Sequence, residues 1–554
     1  MPSTFNSYAQ DAVIKEAREK LNDGKIIEAI EILEIAGKEN PKNADIQYWL
    51  GVAYFKNGQT DSALIAGYRA YAVKPGHTLN RSLLLDIFIK KDDFLRAKNE
   101  AEFLVKEFPK DPSLKLKLAE CLVGLNEFEN ASIELSKLEI QPNLPKNLQI
   151  SVLLLLGEVY AMQKINETAA GYYQKTLMLD PNSVRAHLKL GKVFFREQKY
   201  NEALKEYLDA LRLDSNSTEG NLNAGYIYFN GGKINPQQYG NAIFYLQKYI
   251  ALEPNDFQGH LYIGKSFHAL RSYRNAIEPL EKAVELDTSN GRFETLKLLA
   301  ESYSGSGEHQ KVILTYKNLL SRSVAMEGKD YARLGLSYRA LRDTANTATY
   351  FGKAAETDSS LKGLYQDVGT MYYSGKYYSE AIKWFEKRVQ FEPDDSSTST
   401  AWQSLGLAQF YAARGKTDTL NALMSVRKAV QVKPYSIAHW LVLAQVSERV
   451  DSLELAKEAY RRVLADDSSN VQSYFGLASI SFRQKKNEEA VKYFHKVMTL
   501  DEKNKLAPYY LAQCYLKLKK NSSAVPFLKK YLELDPKGPF ASDSKNILKQ
   551  LGVN

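Results

Sequence analysis

A small residue returns about every 34 residues along this chain, and that recurrence limits the fold more than any other feature. Placed eighth in a repeating frame, the series reads Ala17, Gly51, Ala119, Gly157, Gly191, Gly225, Gly264, Ala300, Gly335, Gly369, Gly406, Ala444, Ala478 and Ala512. Leu85 is the one departure. Twelve places later, more where a repeat carries extra residues, stands Ala in every repeat except those with Val312 and Thr347. A further twelve on, eight repeats close with Pro, as in Pro41, Pro181, Pro254 and Pro536, where it cannot continue the helix before it. A period of this length holds two short helices and their turns. Such a unit is too small to own a core and must share one with its neighbours. The 554 residues are therefore expected to stack as an array, free of the size limit on a single core.

The small residue marks where the two helices of a repeat cross closely, and larger side chains fill the gaps beside it. Aromatics three places on (Tyr54, Phe88, Tyr160, Phe194, Tyr228, Phe267, Tyr303, Tyr338, Tyr372, Tyr515) are expected in the core. In AHLKLGKVFFREQKYNEALKEYLDALRLD and LYQDVGTMYYSGKYYSEAIKWFEKRVQFEP the pattern resembles the tetratricopeptide repeat. The resemblance covers fifteen repeats from about Gln10 to Lys537. It implies an all-α, right-handed superhelical solenoid of helix-turn-helix repeats, with a concave groove lined by the first helix of each.

Breaks in the period suggest the organisation. Residues 1–9 form an N-terminal extension, 10–145 hold repeats 1–4, and 146–538 hold repeats 5–15, with a Pro-containing joint at EIQPNLPKN and insertions near 230–240 and 414–419. Residues 539–554 are expected to form a capping helix, because Phe540, Ser544, Ile547, Leu548 and Leu551 recur at helical spacing. The first repeat is the most degenerate, with Lys20 where an aromatic belongs.

The formal charge of +9 comes from 74 basic and 65 acidic residues, so the surface is mixed. Six of those nine charges lie between Lys505 and Asn554. Mixed charge disfavours nucleic acid as a partner, with RNA binding by a helical-repeat mode as the weakest alternative. Cys121 and Cys514 fall in distant repeats and are expected as buried free thiols. The longest apolar run, Ile150 to Leu156, is too short to cross a membrane, so no insertion is expected. The start MPSTFNSYAQ has no leader character. A cytoplasmic location follows, or a periplasmic one if a leader has been removed.

No phosphate loop, dinucleotide fingerprint, zinc-binding helix, nucleophile elbow or C-x-x-C occurs. His187 and His260 take a large slot at the fourth place and read as packed core rather than metal ligands. The chain is expected to be no enzyme, with no cofactor, metal or small-molecule substrate. The family's clamp for acidic chaperone tails uses Asn at the ninth place. Here that place holds Val52, Glu158, Lys192, Tyr226, Lys265, Leu336, Thr370 and Leu407 instead.

If family geometry carries over, places 2, 5, 9, 12 and 13 face the groove. They bring forward Arg185, Lys192, Phe195, Arg196, Tyr226, Phe229, Lys265, His268 and Arg339, which suit a segment with apolar anchors and acidic flanks. A second possible groove holds Phe410, Tyr411, Arg449, Phe475, Phe482, Arg483 and Tyr509. The expected function is a non-enzymatic scaffold or adaptor binding one or more proteins or peptide segments. The alternative is a structural subunit of an envelope or secretion assembly.

Overall fold

A computed structural model describes residues 3–289 and 291–553. These residues form 31 α-helices and two short 3-10 turns, and among them there is no strand. The chain is an all-α repeat solenoid, divided into two compact units, Met1–Ser289 and Asn290–Asn554.

One hairpin shows how the sequence builds each step. Ser183 caps the helix Val184–Arg196, its hydroxyl accepting from the Ala186 N–H. Gln198, at place 15, turns the chain with φ 60° into the second helix, Tyr200–Leu213. The same place is left-handed at Gly24, Gly58, Asp92, Asn126, Lys164, Arg271, Gly307, Arg342, Lys376, Asp451, Lys485 and Lys519. The two repeats without it are those with Gly225 and Gly406, whose insertions rebuild this turn.

At the crossing, the large residue sixteen places after the small one lies over it. A methyl group built on Gly335 would stand 2.3 Å from the Phe351 ring, and one on Gly157 2.5 Å from Tyr173. Both rings are fully buried. The aromatics at place 11 are only partly as expected. Phe88, Tyr303 and Tyr338 are buried, whereas Tyr160, Tyr228 and Tyr515 are half-buried and stack flat on a ring of their own second helix. The pairs are Tyr160–Tyr172 at 5.5 Å, Tyr228–Tyr245 at 5.7 Å and Tyr515–Phe527 at 5.6 Å.

In five repeats the side chain at place 4 reaches back to the proline carbonyl that ends the preceding repeat. Arg81 donates to Pro75 (2.9 Å), Trp402 to Pro393 (2.9 Å) and Trp440 to Pro434 (2.7 Å). His187 and His260 bind Pro181 and Pro254 through Nε2, at 3.1 and 3.0 Å. These two histidines are therefore half-buried fasteners between repeats rather than core.

Cores are shared across neighbours. Ala203, Tyr207 and Leu211 of one repeat pack with Ala224 and Ile227 of the next. At the C-terminal end the helix Ala541–Gln550 closes the stack as predicted, burying Ser544 and Leu548. Both cysteines are buried and free, and burial pushes their thiols up to about 12. No described helix is long and apolar enough to cross a membrane.

Candidate functional site

In the first unit, the expected groove residues sit on three first helices, Val184–Arg196, Thr218–Gly232 and Phe257–Ala269. Arg185, Lys192 and Arg196 are exposed, and Phe195, Tyr226, Lys265 and His268 are half-buried. A chain of rings links the helices, from Phe195 to Tyr226 (5.7 Å), Tyr226 to Tyr262 (5.0 Å) and Tyr262 to Phe229 (5.1 Å). Lys265 lies over Tyr262 at 5.8 Å. Burial, and then the charge of Lys233, push its ammonium below the ordinary lysine range. His268 meets Tyr273 edge-on at 5.3 Å.

Three of these residues have structural work. Phe229 belongs to the core, packed with Tyr239, Leu246 and Ile263, and does not face a groove. Arg185 pairs with Glu158 at 2.9 Å. Arg196 donates to the carbonyl of Ala161 at 3.2 Å, one of the C-terminal carbonyls that the preceding first helix leaves without a helical partner. Arg339 lies in the second unit, exposed, 5.6 Å over the Phe351 ring.

Lys192, Phe195 and Arg196 border a cavity of about 580 Å3. Its other walls bring in Leu222, Asn223, Glu219 and Glu253. Lys192 and Arg196 also border a smaller cavity of about 130 Å3, beside Tyr173 and Glu158. The two carboxylates on the larger cavity were missed from sequence. Glu219 occupies place 2, as Arg185 does, so the same rule would have found it; Glu253 belongs to a second helix end, which the rule ignores.

A regular contact between first helices also emerges. The side chain at place 9 meets the one at place 6 of the next repeat. Asp86 pairs with Lys117, Glu158 with Lys189 (3.4 Å) and Glu301 with Arg333 (2.5 Å). Tyr226 and Tyr262 form an aromatic version of the same rung. Glu120 and Lys192 do not fit the pattern, because place 6 of the following repeats holds Leu155 and Asn223.

In the second unit, Tyr411 is exposed and stacks on Tyr378 at 5.4 Å, beside a cavity of about 980 Å3. Phe410 meets Tyr411 at 5.5 Å and lies under Arg449 at 5.8 Å. Phe475 and Phe482 instead pack on Tyr510, at 6.2 and 6.1 Å. Tyr509 is buried, stacked on Phe540 at 4.1 Å, and its hydroxyl donates to Asp543 at 2.7 Å. It is core under the final helix, not groove. Arg483 pairs with Asp451 at 2.8 Å and points at the Glu448 carbonyl, as Arg196 does at Ala161.

One group has metal-ligand composition. His187, Glu206 and Asp209 bring their donor atoms within 4.8 Å of one another. Their atoms are engaged already: His187 Nδ1 lies 2.7 Å from Glu206, Lys205 pairs with Glu206 at 3.4 Å, and Arg212 pairs with Asp209. The arrangement is an ion-pair network.

Tetratricopeptide-repeat models match residues 14–77, 441–505 and 481–542, and a TPR-repeat model matches 191–232. A comparison with curated protein sequences gives no match. Among solved structures, the APC/C hetero-tetramer Cut9-Hcn1 is 18% identical over 91% of this chain and 96% of its own, with a TM-score of 0.30. YrrB, described as a TPR protein with an unusual peptide-binding site, is 18% identical over 35% of this chain and 97% of its own, with a TM-score of 0.31. MamA from Desulfovibrio magneticus RS-1 is 16% identical over 32% and 97%, with a TM-score of 0.29. Scores this low carry no argument about function. Repeats of the matched family generally build protein–protein interaction scaffolds and are typically non-catalytic. The family models and the stacked hairpins together identify the chain as a tetratricopeptide-repeat protein.

Proposed function

We propose that this protein is a scaffold that holds a segment of a protein partner on the first-helix face of its first unit, across Lys192, Phe195 and Arg196. The observation that carries this reading is the cavity of about 580 Å3 those residues border, with a cation, rings and aliphatic groups accessible together. Rings supply contact area at low entropic cost, and cations supply direction. Because Glu219 and Glu253 share the cavity, the segment needs more than acidic flanks: it must bring donors as well as acceptors.

The test is photo-crosslinking in the native cell, with the reactive group at Asn223 and a control at the exposed Lys248 on a second helix. A partner captured at 223 but not at 248, and lost in the Lys192→Glu, Phe195→Ala double variant, supports the site. Equal capture by that variant, with its melting unchanged, rejects it. The envelope reading rests on the cationic C-terminal fifty residues, and locating the native protein decides it.

A further inference from the structure

The rungs between first helices give an unexpected reading of what the bound segment must carry. Of the six charged side chains at place 9 in the first unit, Arg18 and Lys265 lie over the rings of Trp49 (5.0 Å) and Tyr262 (5.8 Å), and two are neutralised by the next repeat, Asp86 by Lys117 and Glu158 by Lys189 and Arg185. Glu120, between them on the helix Pro112–Gly124, is not. The next first helix, Lys146–Met162, offers Leu155 where its neighbours offer lysine and Ser151 where another offers arginine. Among the described residues no cation lies within ion-pairing distance of Glu120. Its carboxyl is held above the usual carboxylate range by burial among the helices, which outweighs the downward pull of Arg185 and Lys117, while Asp86 and Glu158 add smaller upward pushes. It is nonetheless exposed at the surface.

Lys192 is the opposite case. It faces Asn223, whose amide nitrogen is already donating to the Glu219 backbone carbonyl at 2.8 Å, and it has no ion pair among the described residues. One repeat separates these two open rungs, and they differ in sign.

We propose that the segment held on this face completes both rungs, placing a cationic side chain, Arg or Lys, against Glu120 and an acidic one against Lys192. The proposal rests on the scaffold reading above and specifies its ligand as a bipolar extended peptide. Two first-helix steps of roughly 8–10 Å each separate the rungs. At about 3.3 Å per residue in an extended chain, the two charges stand roughly six residues apart. Leucines between them meet the apolar surface of Leu155, Met162 and the Phe195 ring.

Three twelve-residue synthetic peptides, titrated into the full chain, test this. One carries Arg and Glu six residues apart with Leu between, one has citrulline for Arg, and one has Gln for Glu. The bipolar peptide is expected to bind roughly three- to tenfold more tightly than either control, as a partly desolvated charge pair implies. Glu120→Gln, a near-isosteric change at an exposed carboxylate, erases the advantage of Arg over citrulline and leaves that of Glu over Gln. Lys192→Gln does the converse. Leu155→Arg supplies the missing rung from within and acts as Glu120→Gln does; should it fail to fold, Glu120→Gln still decides. An Arg advantage that survives in Glu120→Gln, or three peptides of equal affinity for the wild type, overturns the proposal. The scaffold reading fails separately, through equal capture at 223 by the Lys192→Glu, Phe195→Ala double variant.

Discussion

The first-helix faces of the two units begin from the same repeat and end in different employment. Between Glu120 and Lys192 in the first unit, the helix face leaves charged rungs open and cavities beside them. Between Phe475 and Tyr509 in the second, the aromatics that looked equally available are packed on Tyr510 and Phe540. Phe475 and Phe482 are covered by the next first helix, Ala507–Lys517, and for Tyr509 the cause is position in the stack. A last repeat has no following first helix, so the helix Ala541–Gln550 takes that place and consumes the face it covers. A residue's place within the repeat thus sets where it points, while the next repeat decides whether it is still free.

The largest expected effect comes from removing a residue on the covered face. Tyr509→Ala deletes a buried ring with its stack on Phe540 and its hydrogen bond to Asp543, and should lower the stability of the second unit by roughly 3–5 kcal/mol. Lys192→Ala, at the corresponding open face, should stay within about 0.5 kcal/mol of the wild type. Urea denaturation measures both. A Tyr509 variant as stable as the wild type would mean that the second face is open after all, and the contrast would vanish.

A smaller effect probes the scaffold beneath both faces. Gly335→Ala forces a methyl group to within 2.3 Å of the Phe351 ring, whose side chain is fully buried and cannot swing away. Overpacking of this kind costs roughly 1–3 kcal/mol. Gly171, within a helix and with nothing within 4 Å of a built methyl, should gain roughly 0.5–1 kcal/mol as Ala. Thermal melting of the two variants should move in opposite directions, and shifts of the same sign would remove close crossing as the reason for the small eighth place.

Much of this architecture was legible because its constraints are steric and so repeat as residue types. Small residues at places 8 and 20 and closing prolines located the hairpins, and the spacing of Ser544, Ile547 and Leu548 located the final helix. The candidate site was less legible, since facing a groove is a property of neighbours. Phe229 sits at place 12 as Phe195 does, yet the insertion in its repeat runs the first helix on to Gly232 and sets the Tyr239 ring 5.8 Å away, closing over it. The proline-carbonyl contacts of Arg81, His187, His260, Trp402 and Trp440 share a function across three kinds of donor group, so no single residue type marks them. The left-handed turn at place 15 is hidden for the same reason, being Gly in only three repeats.

That turn supplies the finest test, because it asks whether the two units differ in their scaffold or only in their faces. Lys164 in the first unit and Lys485 in the second hold φ of 63° and 61°, and both side chains are exposed. A left-handed residue with a β-carbon carries roughly 1–2 kcal/mol of strain. Glycine relieves it but returns roughly 0.5–1 kcal/mol through the greater freedom of its unfolded chain. Lys164→Gly and Lys485→Gly should therefore each stabilise by at most about 1.5 kcal/mol, and by similar amounts. Ala413→Gly, at the same place in a repeat whose insertion abolishes the left-handed turn, should gain nothing. Equal gains in the two lysine variants would confine the difference between the units to the residues that face outward. Unequal gains would show that the hairpins themselves are under different strain, and that the open rungs at Glu120 and Lys192 belong to a scaffold built differently from its partner.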